Sequence, residues 1–336
     1  MTFTRKVIIT QFGDSDVLKI IDATCPLPSP HHVQIRTELS GFTGGDISMR
    51  KGIYPDQVDA PLTPGYCLVG TVSQLGDFCN ELQVGDNVAV LTKYDAQAEY
   101  VNQPEQYCVK VPEGLDHQQV TGLICDWSTA YAMVKEVANV AKGQRVFIHG
   151  MSGGVGTGLM ILAKLAGAEV YGTASLRNHD LIRSYGGHPF VYTDKKWMEE
   201  VKVLGGAHAV FDALGFESFD ESYDILTPDG ILIAFGTNGD SLAGDAPRDP
   251  SESVAKLFAR NGQSGKRTTF YGLAKENPTY VANLKTLIEM LKNGDFKVPI
   301  RKVWELDEIR EAHRAWSRGT GIGSVVVKIA KSLASL

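Results

Sequence analysis

Cysteine is scarce: Cys25, Cys67, Cys79, Cys108 and Cys125 are the only five in 336 residues, odd in number and never spaced as CxxC. That excludes a disulfide scaffold and fits a reduced, cytoplasmic setting with free thiols acting as small apolar residues. Long apolar runs are missing too. No segment approaches the roughly 18 residues of a membrane helix, and MTFTRKVIITQFGDSD at the N-terminus has no signal-peptide core. There is no excess of positive charge. A net charge of −6 gives no reason to expect nucleic acid or an anionic membrane as partner. Internal repeats and low-complexity tracts are absent. What remains is 43% hydrophobic and 21% charged, an ordinary globular composition, at a length that accommodates two domains.

From Lys6 to about Val111 the texture is β. VIIT, VLKII, HVQIRTEL, LVGTVSQL, NVAVL and EYVNQ are short β-rich runs punctuated by PLPSP, TPG and VGD. A compact, partly closed β domain is expected. From about Val120, helices and strands alternate. WSTAYAMVKEVANV has a helical pattern. It is followed by RVFIH, a glycine stretch, a helix through Ala166, EVYGT, a helix near His179–Tyr185, HPFV, a helix near Lys196–Leu204, AVFDAL and GILIAFG. Such alternation predicts an α/β fold with a parallel, doubly wound sheet. SLAGDAPRDPSES reads as a surface loop, TTFYGL as a strand, and YVANLKTLIEMLKNG as a helix stopped by Gly294. The tail VPIRKVWEL…GSVVVKI returns to β texture and is expected to rejoin the first domain. The expected division is 1–122, completed by 295–336, and 123–294.

HGMSGGVGTG, from His149 to Gly158, holds five glycines between a strand and a helix. Glycine permits positive φ in a tight turn and close approach of backbone to a pyrophosphate. The phosphates then meet free N–H groups at the positive end of the helix. Val155, Leu159, Leu162 and Ala166 share one face of that helix, suited to packing on a sheet. The spacing Gly150, Gly153, Gly156 is GxxGxxG, not GxGxxG, but the strand–turn–helix context is the one dinucleotide binding requires. Ser152, Gly153, Gly154 and Val155 are the candidate pyrophosphate contacts.

The second strand discriminates between nucleotides. NAD sites place an acidic residue at its end for the ribose 2′-OH. Here the strand ends VYGTASLRN, and Glu169 lies at its start, the wrong end. Thr173, Ser175 and Arg177 offer hydroxyls and a guanidinium, a set that would welcome a 2′-phosphate. NADPH is the expected cofactor.

GFTGGDISMRKGIYP, TPGYCLVGTV, VGDNV, DWSTAYAMV, HGMSGGVG, YGTAS, VFDALG, GILIAFGTNG and the terminal GSVVV together resemble the medium-chain dehydrogenase/reductase superfamily, in its zinc-independent quinone oxidoreductase and enoyl reductase branch. The resemblance covers nearly the whole chain. It implies a GroES-like β domain, a Rossmann domain, an active cleft between them, and a homodimer that pairs Rossmann sheets edge to edge. Zinc-dependent relatives carry Cys where Thr43 stands, Gly-His-Glu where Gly65-Tyr66-Cys67 stand, and four cysteines in a lobe where this chain has only Cys108. Adjacent His31 and His32 point to opposite faces of a strand edge and make no ligand pair. Catalytic zinc needs three ligands and structural zinc four, so no metal is expected.

A metal-free reductase must bring hydride to an electron-poor carbon or a quinone, stabilise the charge on oxygen, and supply a proton. By resemblance, Tyr54 is placed for substrate positioning or proton donation and Thr129 for the nicotinamide. Ser48 lies where it could line the cleft. Gly236, Thr237, Asn238 and Leu214 fall at strand ends where cofactors collect, Thr43 near the nicotinamide ribose, and Tyr192 one residue short of a tyrosine that relatives place by the adenosine phosphate. The expected activity is reduction of small α,β-unsaturated carbonyls, enoyl compounds or quinones, with a dedicated biosynthetic tailoring enoyl reductase among the forms it could take. The alternative is a catalytically weak NADPH-binding structural or interaction protein of the same fold.

Overall fold

The computed structural model describes residues 1–330. Its strands are β1 (Thr2–Ile9), β2 (Leu18–Cys25), β3 (His32–Phe42), β4 (Cys67–Leu75), β5 (Asn87–Leu91), β6 (Tyr100–Pro104), β7 (Cys108–Lys110), β8 (Arg145–His149), β9 (Glu169–Ala174), β10 (His188–Val191), β11 (Ala207–Asp212), β12 (Leu226–Ala234), β13 (Arg267–Phe270), β14 (Ile300–Glu305) and β15 (Ser324–Lys328). They divide between two compact units. The first is Met1–Ser128 with Ala274–Gly319 and the chain from Ser324; the second is Thr129–Leu273 with Thr320–Gly323. Among the described residues no helix is long and apolar enough to cross a membrane.

The first unit is the expected GroES-like β domain. Its main sheet runs β14-β15-β3-β4-β5-β7, with β6 also paired to β3, and β1-β2 form a separate antiparallel hairpin. The inward alternation of Val33, Ile35, Leu68, Val72, Val88 and Val90 closes one core. The tail rejoins this unit through β15, which pairs with β3 antiparallel; residues 331–336 of the expected completion lie outside the described residues.

The helix Tyr280–Asn293, stopped by Gly294 at φ 79° as the sequence predicts, was expected in the second unit and lies in the first. A buried bond explains the placement: the Tyr280 hydroxyl donates to the Ile124 carbonyl at 3.1 Å. A further helix, Gly44–Lys51, interrupts a stretch read as β, and another, Ile309–Ala315, lies between the two β runs of the tail.

The second unit is a six-stranded parallel sheet in the order β10-β9-β8-β11-β12-β13. Numbered within the unit this is 3-2-1-4-5-6, the doubly wound dinucleotide order, with its switch point between β8 and β11. Phe147, Phe211, Trp197, Phe219 and Leu232 are buried in its core, where Phe147 stacks on Trp197 at 4.9 Å. The expected long loop after Asp240 is shorter than its composition suggests. Helices Gly239–Ala243 and Ser251–Ala259 occupy both its ends, and Arg248 ties the remainder to Asp240 and Glu217.

Candidate functional site

The glycine turn follows β8 and enters the helix Gly154–Leu165. Gly150 takes φ 74°, which the turn requires. A Cβ on Gly156 would sit 2.1 Å from the Gly150 carbonyl oxygen, so the third glycine of GxxGxxG lets helix and turn touch. Gly153 plays a different part. It is the N-cap, has no side chain to cap with, and a Cβ there would meet only the Gly150 carbonyl oxygen at 3.4 Å. Ser152, Gly153, Gly154 and Val155 are half-buried, while Met151 and Gly156 on either side are buried. The first helical N–H groups are thereby left for a ligand, and this cradle fits a pyrophosphate.

Behind the turn lies a buried polar chain. The His149 ring nitrogens lie 3.1 Å from Thr173 Oγ1 and 3.1 Å from Ser222 Oγ. Ser222 and Ser218 each donate to Asp212 Oδ2 at 2.7 Å, and Asp212 Oδ1 accepts the Leu214 N–H at 2.7 Å. The proton positions follow by elimination. Because Ser222 donates to Asp212, it accepts from His149 Nε2–H; His149 Nδ1 then accepts from Thr173, whose oxygen lies 3.4 Å from the Gly150 N–H. Burial lowers the His149 pKa, which keeps the ring neutral as this pattern demands. The chain joins the turn after β8 to the loop after β11, on both sides of the switch point. The Thr320–Gly323 segment adds a second brace: Gly323 N–H donates to the Ser152 carbonyl at 3.1 Å and Gly321 N–H to Asn178 Oδ1 at 3.0 Å.

This assigns Thr173 a role other than the expected one. Its side chain is buried and its hydroxyl engaged with His149 and Gly150, so it supports the turn instead of facing a 2′-phosphate. Ser175 and Arg177 do lie at the carboxyl end of β9, Ser175 half-buried and Arg177 exposed with no ion pair among the described residues. Tyr192 is exposed just beyond β10, at the same sheet edge. Leu214, Gly236, Thr237 and Asn238 cluster at the ends of β11 and β12, where Asn238 N–H donates to the Ala213 carbonyl at 2.8 Å and a Cβ on Gly215 would touch Thr237. Thr129 is buried in the helix Ser128–Ala132.

A second cluster sits in the first unit around the helix Gly44–Lys51. Thr43 caps it: its hydroxyl accepts the Gly45 N–H at 3.1 Å and donates to Asp46 Oδ2 at 3.3 Å, and its N–H donates to the same carboxylate at 2.8 Å. The Thr43 hydroxyl is thus committed to the cap, not presented to a ribose as expected. Asp46 is fully buried, and desolvation raises its pKa to about 7. Ser48 is half-buried on this helix. Beyond the helix, Tyr54 Oη lies 2.6 Å from Tyr66 Oη, the rings edge to face at 6.0 Å. Burial pushes Tyr54 up to about 12 and Tyr66 further. The Lys93 ammonium lies 5.5 Å from the Tyr54 ring centroid and 5.7 Å from that of Tyr94. Lys93 and Asp95 both have positive φ, an unusual backbone for residues with side chains, and together they present Tyr94.

This donor set does not suit zinc. A capped threonine hydroxyl and a phenol held in its neutral form are poor ligands, and no cluster of three or more His, Cys, Asp or Glu among the described residues could hold a metal. Sequence reasoning missed Tyr66, Tyr94 and the Asp212 chain. Only Tyr66 carried a signal, as the residue standing where zinc-dependent relatives place a histidine.

Two family matches cover the chain in succession: "Alcohol dehydrogenase GroES-like domain" over residues 29–113 and "Zinc-binding dehydrogenase" over residues 186–327. The chain belongs to the medium-chain dehydrogenase/reductase superfamily, a group of oxidoreductases. Within it, the chain falls in the quinone oxidoreductase branch. It is 26% identical to a human quinone oxidoreductase, across 94% of this chain and 95% of that protein. It is 27% identical to a zebrafish (Danio rerio) synaptic vesicle membrane protein VAT-1 homolog, across 97% of this chain and 70% of the relative. A mycobacterial protein solved in complex with NADPH shares the fold with a TM-score of 0.84 at 24% identity, covering 97% of this chain and 99% of that one.

Proposed function

We propose that this protein is an NADPH-dependent reductase of α,β-unsaturated carbonyls or quinones that acts by direct, metal-free hydride transfer as a homodimer. The observation that carries the reading is the N-terminus of the helix Gly154–Leu165, which no side chain caps, together with an exposed Arg177 just past β9 that has no ion pair among the described residues. The amides of Ser152, Gly153, Gly154 and Val155 would hold the pyrophosphate. Ser175 and Arg177 would hold the 2′-phosphate, with Tyr192 against the adenosine side. Leu214, Gly236, Thr237 and Asn238 would serve the nicotinamide-side ribose and amide, with Thr129 close to the ring. Once bound, NADPH supplies the hydride.

The chain's own residues supply the rest. A phenol raised to about 12 is fully protonated at neutral pH, so Tyr54 is an acid held ready in its donor form. It would donate first a hydrogen bond to the substrate carbonyl, where charge builds, and then a proton. Ser48, on the neighbouring helix, would help line the substrate side. Tyr54 favours an enone or enoyl substrate over a quinone, whose two oxygens take up protons readily from water.

The test is to titrate the full chain with NADPH and then follow oxidation of the cofactor over a panel of enones, enoyl thioesters and quinones. Steady turnover on at least one class is expected. Tight binding with no turnover on any of them would point instead to a binding protein of the same fold.

A further inference from the structure

We infer that Tyr66 is a positioning residue that donates its hydroxyl hydrogen to Tyr54 Oη, so that Tyr54 alone presents a proton outward and Tyr66 holds the phenolate left after transfer. The inference rests on the reading of Tyr54 as proton donor and goes beyond it by assigning the direction of the bond between the two phenols.

The direction follows from burial. Tyr66 is 8% exposed, and Tyr54 lies within hydrogen-bond distance of its hydroxyl at 2.6 Å. A buried phenol must give its one hydrogen to a partner, and Tyr54 Oη is the acceptor the structure provides. Tyr54 is the more open of the two, so its own hydrogen is the one free to leave. If the bond ran the other way, the Tyr66 hydrogen would be buried without an acceptor, at a cost of about 1–3 kcal/mol.

The pair is built for close approach. A Cβ on Gly45 would lie a tight 3.3 Å from Tyr66 Cδ2 and an ordinary 3.5 Å from Tyr54 Cε2, so this helical glycine gives the Tyr66 ring its room beside Tyr54. The Tyr66 carbonyl accepts the N–H groups of Thr92 and Lys93 at 2.9 and 3.1 Å, which fixes its backbone to the loop that carries Lys93 and Tyr94. The ionisable groups around the pair are Asp46, Lys93, Tyr94 and Cys125. Of these only Lys93 is cationic, and it favours a phenolate on Tyr54.

The step balances simply. The Tyr54 O–H bond breaks, and a C–H or O–H bond forms on a substrate that has already received hydride from NADPH. The electron pair of the broken bond stays on Tyr54 Oη, where the Tyr66 O–H stabilises it, and water returns the proton. Nothing is oxidised or reduced in this step.

The test needs no cofactor. A fluorinated tyrosine placed at 54 in the full chain titrates at lower pH than tyrosine and can be followed by fluorine NMR. If Tyr66 donates, Tyr66→Phe removes a bond to the ionised form and raises the pKa at 54, by about one unit, a tenfold change. If Tyr66 accepts, the same variant lowers that pKa; a lowered or unchanged value overturns the inference. Should Tyr66→Phe fail to fold, the fluorinated residue is placed at 66 instead. As donor it loses its acceptor in Tyr54→Phe and titrates lower there than in the parent, and a raised or unchanged value refutes the assignment.

Turnover on an enone separates this inference from the reading beneath it. Tyr54→Phe should lose about a hundredfold, Tyr66→Phe about tenfold, and the double variant no more than Tyr54→Phe alone. Additive losses contradict the relay. If Tyr54→Phe turns over normally, both the donor reading and the relay fail, and the fluorine titration then reports only a structural hydrogen bond.

Discussion

At the mouth of β8 the candidate ligand-facing groups are backbone N–H groups, held from behind by a closed chain through Thr173, His149, Ser222 and Asp212. Around the helix Gly44–Lys51 they are side-chain hydroxyls. Nearby, Arg50 Nε, Tyr94 Oη and Gln97 Oε1 are buried with no hydrogen-bond partner among the described residues. The first region would bind through atoms that every residue possesses, and depends on glycine for positive φ at Gly150 and for clearance at Gly156. The second depends on which side chains are present and leaves polar atoms unsatisfied, a reservoir that a polar substrate could relieve. The contrast explains why the cofactor class is the more legible of the two in these residues.

The comparison breaks most sharply at Gly156. In Gly156→Val the new Cβ would be driven into the Gly150 carbonyl at 2.1 Å, so the turn must move. A stability loss of about 3 kcal/mol or more, by urea unfolding, is expected together with loss of NADPH binding. A variant that binds NADPH normally would show that clearance at this position is not what shapes the cradle.

On the other side, Asp46 is the group to perturb. Its pKa is raised to about 7 from an ordinary 3.8. A raised carboxyl contributes stability that is fully present below its unfolded value and is lost as pH rises through the folded value. Asp46→Asn, which mimics the protonated form, should therefore match the parent near pH 4 and exceed it above about pH 7 by roughly 2–4 kcal/mol. Thermal melts across that window check it. A difference that does not change with pH would mean the carboxylate is ionised and stabilised by the Thr43 cap.

A smaller effect is expected behind the glycine turn. Ser222→Ala removes the link between His149 and Asp212, leaving both partners of a buried chain incomplete. A loss of about 1–3 kcal/mol is expected in unfolding experiments, with NADPH binding weakened severalfold because Gly150 and Leu214 are both held by that chain. Unchanged stability and affinity would show that the chain is passive. The smallest effect belongs to the exposed Arg177. Arg177→Ala should weaken NADPH about tenfold and leave NADH unchanged, as read by calorimetry; equal losses would refute the 2′-phosphate assignment.

The alternation from RVFIH to GILIAFG was enough to read the parallel sheet, because each strand is a continuous apolar run and each helix has one apolar face. The helix Gly44–Lys51 was missed within a β-rich stretch, although Thr43 and Asp46 have the spacing of a capping box and Gly52 that of a left-handed stop. At the site, the glycines gave the turn away because their spacing is local. Thr173 and Thr43 were misread because a hydroxyl at a strand or helix end looks the same in sequence whether it faces a ligand or its own backbone. The pairing of Tyr54 with Tyr66, and of His149 with Ser222 and Asp212, joins residues distant in the chain, and no local pattern encodes such pairs.

The central claim is that NADPH held on this turn gives hydride directly to a substrate that then takes a proton from the protein. Deuterium placed at both C4 positions of the reduced nicotinamide, with an enone as substrate in ordinary water, tests it in one product analysis. The account predicts deuterium at the β-carbon and protium from solvent at the α-carbon. Reduced product lacking deuterium, or deuterium washed into water, would contradict it.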